Sequence, residues 1–207
     1  MKIICIGRNY ALHVKELDGT RELPTSPQFF LKPDTALLRN NDPFYLPSFS
    51  QQIDYETELV VRINRLGRCI EPRFARRYYA EVGLGIDFTA RDLQREAIAK
   101  GLPWESCKAF DYSAAVSPRF LSLEELGGDV QRLHFEMLLN GTPRQQGDTS
   151  QMLFPVDQLI AWVSRFITFR TGDLLFTGTP AGVGTVHAGD RITASLEGET
   201  LLDFLIK

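Results

Sequence analysis

Cysteine is scarce: Cys5, Cys69 and Cys107 are the only three in 207 residues. They are odd in number, scattered and in no Cys-x-x-Cys pair, which argues against a disulfide framework or a structural zinc site and fits a reducing compartment. An excess of basic charge is also lacking. Lys and Arg total 23 against 26 Asp and Glu, a net charge of -3, so there is no bulk electrostatic case for a nucleic-acid partner and a small molecule is favoured. No apolar run approaches membrane-spanning length, and the apolar part of Met1-Lys2-Ile3-Ile4-Cys5-Ile6-Gly7 is too short for a secretion signal. The expectation is a soluble, cytoplasmic protein with no membrane partner. Repeats, low-complexity segments and linkers are missing too, and the length suits a single domain over residues 1–207. The glycine-rich residues 177–184 lack the Gly-Lys-Ser/Thr ending of a phosphate loop and open no helix, which excludes a nucleotide site. Their N–H groups and threonine hydroxyls are instead expected to serve a small carboxylate.

What is present starts with residues 53–63, Ile-Asp-Tyr-Glu-Thr-Glu-Leu-Val-Val-Arg-Ile, which read as one strand running into the core. A period of two puts Asp54, Glu56 and Glu58 on one face. Like charges so crowded are destabilising unless they are solvated or a cation sits among them. A hard divalent ion would resolve the repulsion, and a solvated acidic edge strand is the other reading. Asp87 follows at the exit of a second apolar strand that carries Gly83 and Gly85.

Other candidates are spread along the chain. His13 and Glu16 share a helical face at a spacing of three, where the carboxylate can orient the imidazole and raise its basicity; a surface pair is the alternative. The polar residues 18–24 that follow read as a loop able to act as a lid. Arg91 and Gln94 sit together in the first turn of a helix reaching Lys100 and stopped by Gly101, positioned for an anion or simply solvated. Lys108 lies among aromatic and small residues and reads either as partly buried, an electrostatic partner for a carboxylate or enolate, or by itself as a snorkelling surface lysine; the strand-end Lys32 reads as a ligand contact or, more simply, as solvated. His134 and His187 read as an exposed strand residue and a loop residue. A helix is expected over residues 72–82, a polar helical turn over 121–126, a hairpin turn at Asn140-Gly141, and a helix after Pro155 with Leu159, Ile160, Val163 and Phe166 as its core stripe. Strands outnumber helices and come in runs, which predicts an α+β fold on a large, mainly antiparallel sheet.

Taken in order, Gly7-Arg8-Asn9-Tyr10 with His13 and Glu16, Phe30-Leu31-Lys32-Pro33, Asp54-Tyr55-Glu56-Thr57-Glu58-Leu59, Asp87-Phe88-Thr89-Ala90-Arg91-Asp92, Gly101-Leu102-Pro103-Trp104, Lys108 and the glycine-rich 177–184 segment resemble the fumarylacetoacetate hydrolase family. The resemblance is greatest to its short single-domain members, of acylpyruvase and oxaloacetate decarboxylase type. It implies a mixed, mainly antiparallel β-roll of the fumarylacetoacetase C-terminal type, usually a homodimer, with Mg2+ or Mn2+ on Glu56, Glu58 and Asp87. It further implies Lys108, Arg91, Gln94, Gly178 and Thr179 around a small 2-keto acid, and His13 with Glu16 for water activation. The implied activity is hydrolysis of a C–C bond in acylpyruvates or fumarylpyruvate, with possible oxaloacetate decarboxylation. Alternatives are an isomerase or decarboxylase of aromatic catabolism, an oxaloacetate tautomerase, and a metal-dependent dicarboxylate-binding protein without turnover. Residues 18–28 and 141–152 carry no pattern that selects among substrates.

Overall fold

The computed structural model describes residues 1–18 and 22–207. Among them, the largest sheet has eight strands. Its order is Gln28–Lys32, Ile3–Gly7, Leu174–Phe176, Thr57–Ile63, Tyr79–Asp87, Ala114–Val116, Leu37–Leu38, with Leu121–Ser122 also paired to Tyr79–Asp87. Two pairings are parallel, Ile3–Gly7 with Leu174–Phe176 and Leu37–Leu38 with Ala114–Val116; the other pairings of this sheet are antiparallel. A second sheet of four strands runs Thr142–Asp148, His134–Leu139, Arg191–Leu196, Glu199–Leu205. A small third sheet joins Gly184–Thr185, Ile53–Tyr55 and Thr89–Ala90. The α+β class and the curled, mainly antiparallel architecture expected from the sequence are therefore found.

Strand alternation divides the apolar residues between two faces of the large sheet. Leu59, Val61, Ile63, Val82, Leu84 and Ile86 enter the main core with Met137, Ala194 and Phe204 of the second sheet and Leu159, Ile160 and Val163 of the helix Val156–Ser164. Phe88 links the layers, stacked on Phe44 at 3.9 Å and edge-on to Phe204 at 6.2 Å. The opposite face carries a smaller cluster of Ile3, Cys5, Val60, Ala114, Val116, Leu174 and Phe176. It is the edge of this second face that carries the polar residues of the site.

Several expectations are corrected. Residues 53–63 form two strands, Ile53–Tyr55 and Thr57–Ile63, in different sheets. At the start of the second strand the Thr57 N–H donates to a side chain, Gln145 Oε1, at 2.9 Å. The helix expected over 72–82 is only Pro72–Ala75 with a 3-10 turn after it; Tyr79 already starts a strand whose partners lie in the core. Residues 121–126 begin with the short strand Leu121–Ser122 instead of a helical turn. Phe166 is exposed and lies past the end of its helix. The Asn140-Gly141 turn is present, with φ of 54° and 76°, and joins His134–Leu139 to Thr142–Asp148 as expected. The proposed lid loop runs through residues 19–21, which lie outside the described residues.

Candidate functional site

Register brings the carboxylates together. Glu58 pairs with Gly85 and Asp87 with Ala114, and the Asp87 N–H donates to Glu56 O at 2.8 Å, so Glu56, Glu58 and Asp87 project on the face that bears Val60 and Cys5. All three are buried, and each offers an oxygen within 4.8 Å of the others. Lys32, paired with Ile3 at the end of its strand, projects from the same face.

Three buried cations meet this cluster. Lys108, from the short helix Glu105–Lys108, places Nζ 2.6 Å from Glu56 Oε2 and 2.8 Å from Asp87 Oδ2. Lys32 Nζ lies 2.7 Å from Asp87 Oδ1 and donates to Ser113 O at 3.1 Å, Ser113 Oγ at 3.0 Å and the Lys108 carbonyl. Arg91, at the start of the helix Arg91–Lys100, donates from Nε to Asp54 Oδ2 at 2.8 Å, from Nη2 to Glu56 Oε1 at 2.6 Å and from Nη1 to Gln94 Oε1 at 2.5 Å. Burial opposes the charge of Glu56, yet Lys108 and Arg91 outweigh it and hold its carboxyl well below the usual range. Burial likewise opposes the Lys108 ammonium, and Asp87 with Glu56 outweighs it and raises its pKa.

Glu58 is treated differently. Its Oε2 accepts the Gly178 N–H at 2.6 Å, and among the described residues no cation lies in ion-pair contact with it. Burial, then the charges of Asp87 and Glu56, push its carboxyl well above the ordinary value. Asp87 Oδ1 has its Lys32 contact out of hydrogen-bonding alignment and no hydrogen bond otherwise. A buried donor set of three carboxylates, one of them without a cation, fits a hard divalent ion, and softer, sulfur-preferring metals find no thiolate in it.

The glycine-rich loop supports these groups from the other side. Gly178 has φ of +98°, and a Cβ there would stand 2.7 Å from Asn9 Cβ, so glycine is needed to bring its N–H to Glu58. Gly182, at φ +100° and with Arg144 O where a Cβ would go, donates its N–H to Glu16 Oε1 at 3.0 Å. Glu16 Oε2 is 3.4 Å from His13 Nδ1; burial raises the Glu16 carboxyl, but the bonds from His13 and Gly182 outweigh it and lower its pKa. Thr179 Oγ1 donates to Thr57 O at 2.8 Å and accepts from Gln145 Nε2 at 2.8 Å. Asn9 Nδ2 holds Thr177 O at 2.8 Å. The N–H groups of Gly178 and Gly182 thus serve carboxylates of the protein itself, not the small carboxylate expected from the sequence.

One cavity of about 340 Å³ is lined by His13, Glu16, Glu56, Glu58, Asp87, Arg91, Gln94, Lys108 and Thr179, which are all of the candidate residues except Gly178, whose N–H lies behind Glu58. Asp54 also lines it but does not join the triad; with the strand broken at Glu56, it pairs with Arg91 and accepts from Thr185 Oγ1 at 2.8 Å. Lys108 is buried, not snorkelling, and Lys32 is buried, not solvated. Sequence reasoning raised Lys32 as a ligand contact without placing it at Asp87, and missed Gln145, which sits in a strand of mostly exposed polar residues.

Residues 2–203 match the family described as fumarylacetoacetate (FAA) hydrolase C-terminal. The chain belongs to the fumarylacetoacetate hydrolase family. Among its relatives is oxaloacetate tautomerase YcgM of Escherichia coli (strain K12), 38% identical over 200 residues, 97% of this chain and 90% of the relative. The mitochondrial oxaloacetate tautomerase FAHD1 of Mus musculus is 40% identical over 205 residues, covering 99% of this chain and 91% of its own. Among solved structures, fumarylpyruvate hydrolase from Pseudomonas aeruginosa in complex with Mn2+ and pyruvate superposes with a TM-score of 0.92 at 34% identity, covering 100% of this chain and 89% of that one. Among the described residues no helix is long and apolar enough to cross a membrane.

Proposed function

We propose that this chain is a divalent-cation-dependent enzyme of small 2-keto acids, with Mg2+ or Mn2+ on Glu56, Glu58 and Asp87, and that its reactions pass through a pyruvate-type enolate. The observation that carries this reading is the sharing of one cavity by the buried carboxylate triad, Lys108 and the His13–Glu16 pair. When bound, the cation would act as a Lewis acid toward the substrate's keto and carboxylate oxygens. Glu16, anchored by the Gly182 N–H, accepts from His13 Nδ1 and leaves Nε2 as the base. His13 takes a proton from water at that nitrogen, and the hydroxide attacks the distal carbonyl of an acylpyruvate or fumarylpyruvate. The C–C bond breaks, its electron pair enters the enolate, and the Lys108 ammonium stabilises the charge. Protonation then gives pyruvate and a carboxylic acid. Arg91 and Gln94 orient the substrate, and the homodimer of the family completes the reading.

A second reaction is favoured by the relatives of 38% and 40% identity, both oxaloacetate tautomerases. There His13 moves a proton between carbon and oxygen of oxaloacetate, and no water is consumed. Decarboxylation of oxaloacetate reaches the same enolate by loss of carbon dioxide. The test is a panel with added Mg2+ or Mn2+: pyruvate release from acetylpyruvate, fumarylpyruvate and oxaloacetate, and decay of the enol form of oxaloacetate. Turnover of at least one, abolished by a chelator, is expected. No turnover on the panel, or turnover indifferent to the chelator, contradicts the proposal.

A further inference from the structure

The helix Arg91–Lys100 turns one face to the cavity, with Arg91, Gln94, Arg95 and Ile98 all on its wall. The guanidinium of Arg91 is committed to Asp54, Glu56 and Gln94. That of Arg95 is not: Nη2 donates to a neutral amide, Gln52 Oε1, at 2.9 Å, and among the described residues it forms no ion pair. Gln52 passes the link on, donating from Nε2 to Asp54 Oδ1 at 3.2 Å. The amide therefore holds an exposed guanidinium at the cavity wall while leaving its charge unspent. Arg8, also on this wall, donates to Glu22 O at 3.4 Å.

Charge balance gives Arg95 a task. Asp54, Glu56, Glu58 and Asp87 bring four negative charges, and Arg91, Lys32 and Lys108 three positive ones. Glu16 lies outside this cluster, where it accepts from His13 and the Gly182 N–H. A divalent cation leaves the cluster one positive charge in excess, enough for the single carboxylate of a 2-keto acid. A second carboxylate on the substrate finds no further partner in this cluster, and the fork of an arginine on the same wall with donors to spare is suited to receive it. We infer that Arg95 binds the distal carboxylate of the substrate and makes the site selective for dicarboxylic 2-keto acids over monocarboxylic ones. This rests on the 2-keto acid reading above and adds to it a specificity-determining residue.

The test uses unreactive 2-hydroxy acids that differ in that group alone, malate and lactate, titrated calorimetrically into the Mn2+-loaded protein. The wild type should prefer malate by about tenfold or more, and Arg95→Gln should reduce the malate-to-lactate affinity ratio by about tenfold, the scale of one charge-assisted contact. Arg95→Lys, keeping the charge without the fork, should retain part of the preference. An unchanged ratio in Arg95→Gln overturns the assignment of Arg95, and absence of a malate preference in the wild type overturns dicarboxylate selectivity. Binding of lactate and malate with equal strength leaves the 2-keto acid reading standing while removing this inference; binding of neither contradicts both.

Discussion

Lys32 Nζ and Asp87 Oδ1 stand 2.7 Å apart with both side chains buried, joining the ends of two strands that are not adjacent in the sheet. Removing one partner of a buried pair costs about 3–5 kcal/mol, because the other charge stays buried. Lys32→Met should therefore lower the melting temperature of the metal-free protein, by roughly 10 °C for a chain of this size. Since it also deletes a positive charge beside Asp87, Mg2+ should recover more of the loss than it adds to the wild type. Thermal melts with chelator and with Mg2+ decide this; a melting temperature equal to wild type would contradict a structural role for the pair.

Glu58 makes the metal-free protein sensitive to rising pH. Burial and the charges of Asp87 and Glu56 raise its carboxyl in the folded state, whereas unfolding returns it to about 4.5. The folded protein then keeps a proton that the unfolded chain releases, so stability falls as pH climbs from about 4.5 toward the raised value. Glu56 and Glu16, shifted downward, give stability that is lost only as pH falls, and Lys108, shifted upward from 10.5, keeps its contribution throughout this window. Melting temperatures in chelator should decline as pH rises above about 4.5, and the increment from saturating Mg2+ should grow in the same direction. An increment independent of pH would place the ion elsewhere.

Lys108 touches both Glu56 and Asp87 and is assigned the enolate charge common to hydrolysis and decarboxylation. Lys108→Met should slow both reactions together, by on the order of tenfold to a thousandfold. Steady-state kinetics on acetylpyruvate and oxaloacetate provide the comparison, and a near wild-type rate on either would remove Lys108 from that role.

The His13–Glu16 pair separates the reactions that need a proton carrier from the one that does not. His13→Ala should depress acylpyruvate hydrolysis and oxaloacetate tautomerisation by about a hundredfold or more, while decarboxylation falls much less. All three rates are to be measured on one preparation with its metal content confirmed. Equal losses in all three would mean that His13 orders the site rather than moving protons.

Part of this site was legible because it follows strand alternation: Glu56 and Glu58 share a face as their spacing requires, and Asp87 exits a strand beside them. The Asn140-Gly141 turn and the Gly101 stop, at φ +65°, are local backbone demands and were equally legible. Asp54 shares a cavity with Glu56 and Glu58 as the alternation requires, but the placing of Ile53–Tyr55 in a separate sheet depends on partners distant in sequence, Thr89–Ala90 and Gly184–Thr185. The burial of Lys32 depends in the same way on strand register, and that of Lys108 on where its short helix packs, and each is brought to carboxylates that no local pattern reveals. The helix expected after Pro72 was lost to the core partners of Tyr79, a tertiary override of local propensity.

Binding of a divalent cation by Glu56, Glu58 and Asp87 is the step on which the proposed function depends. It is tested most directly by calorimetric titration of Mn2+ and Mg2+ into metal-free wild type and Glu58→Gln, a substitution that keeps the shape of the side chain and removes its charge. One ion per chain is expected for the wild type, and an affinity weaker by at least roughly a hundredfold for Glu58→Gln, the upper end of what losing even an orienting partner costs. Equal affinities in the two proteins, or no binding to the wild type, would contradict it.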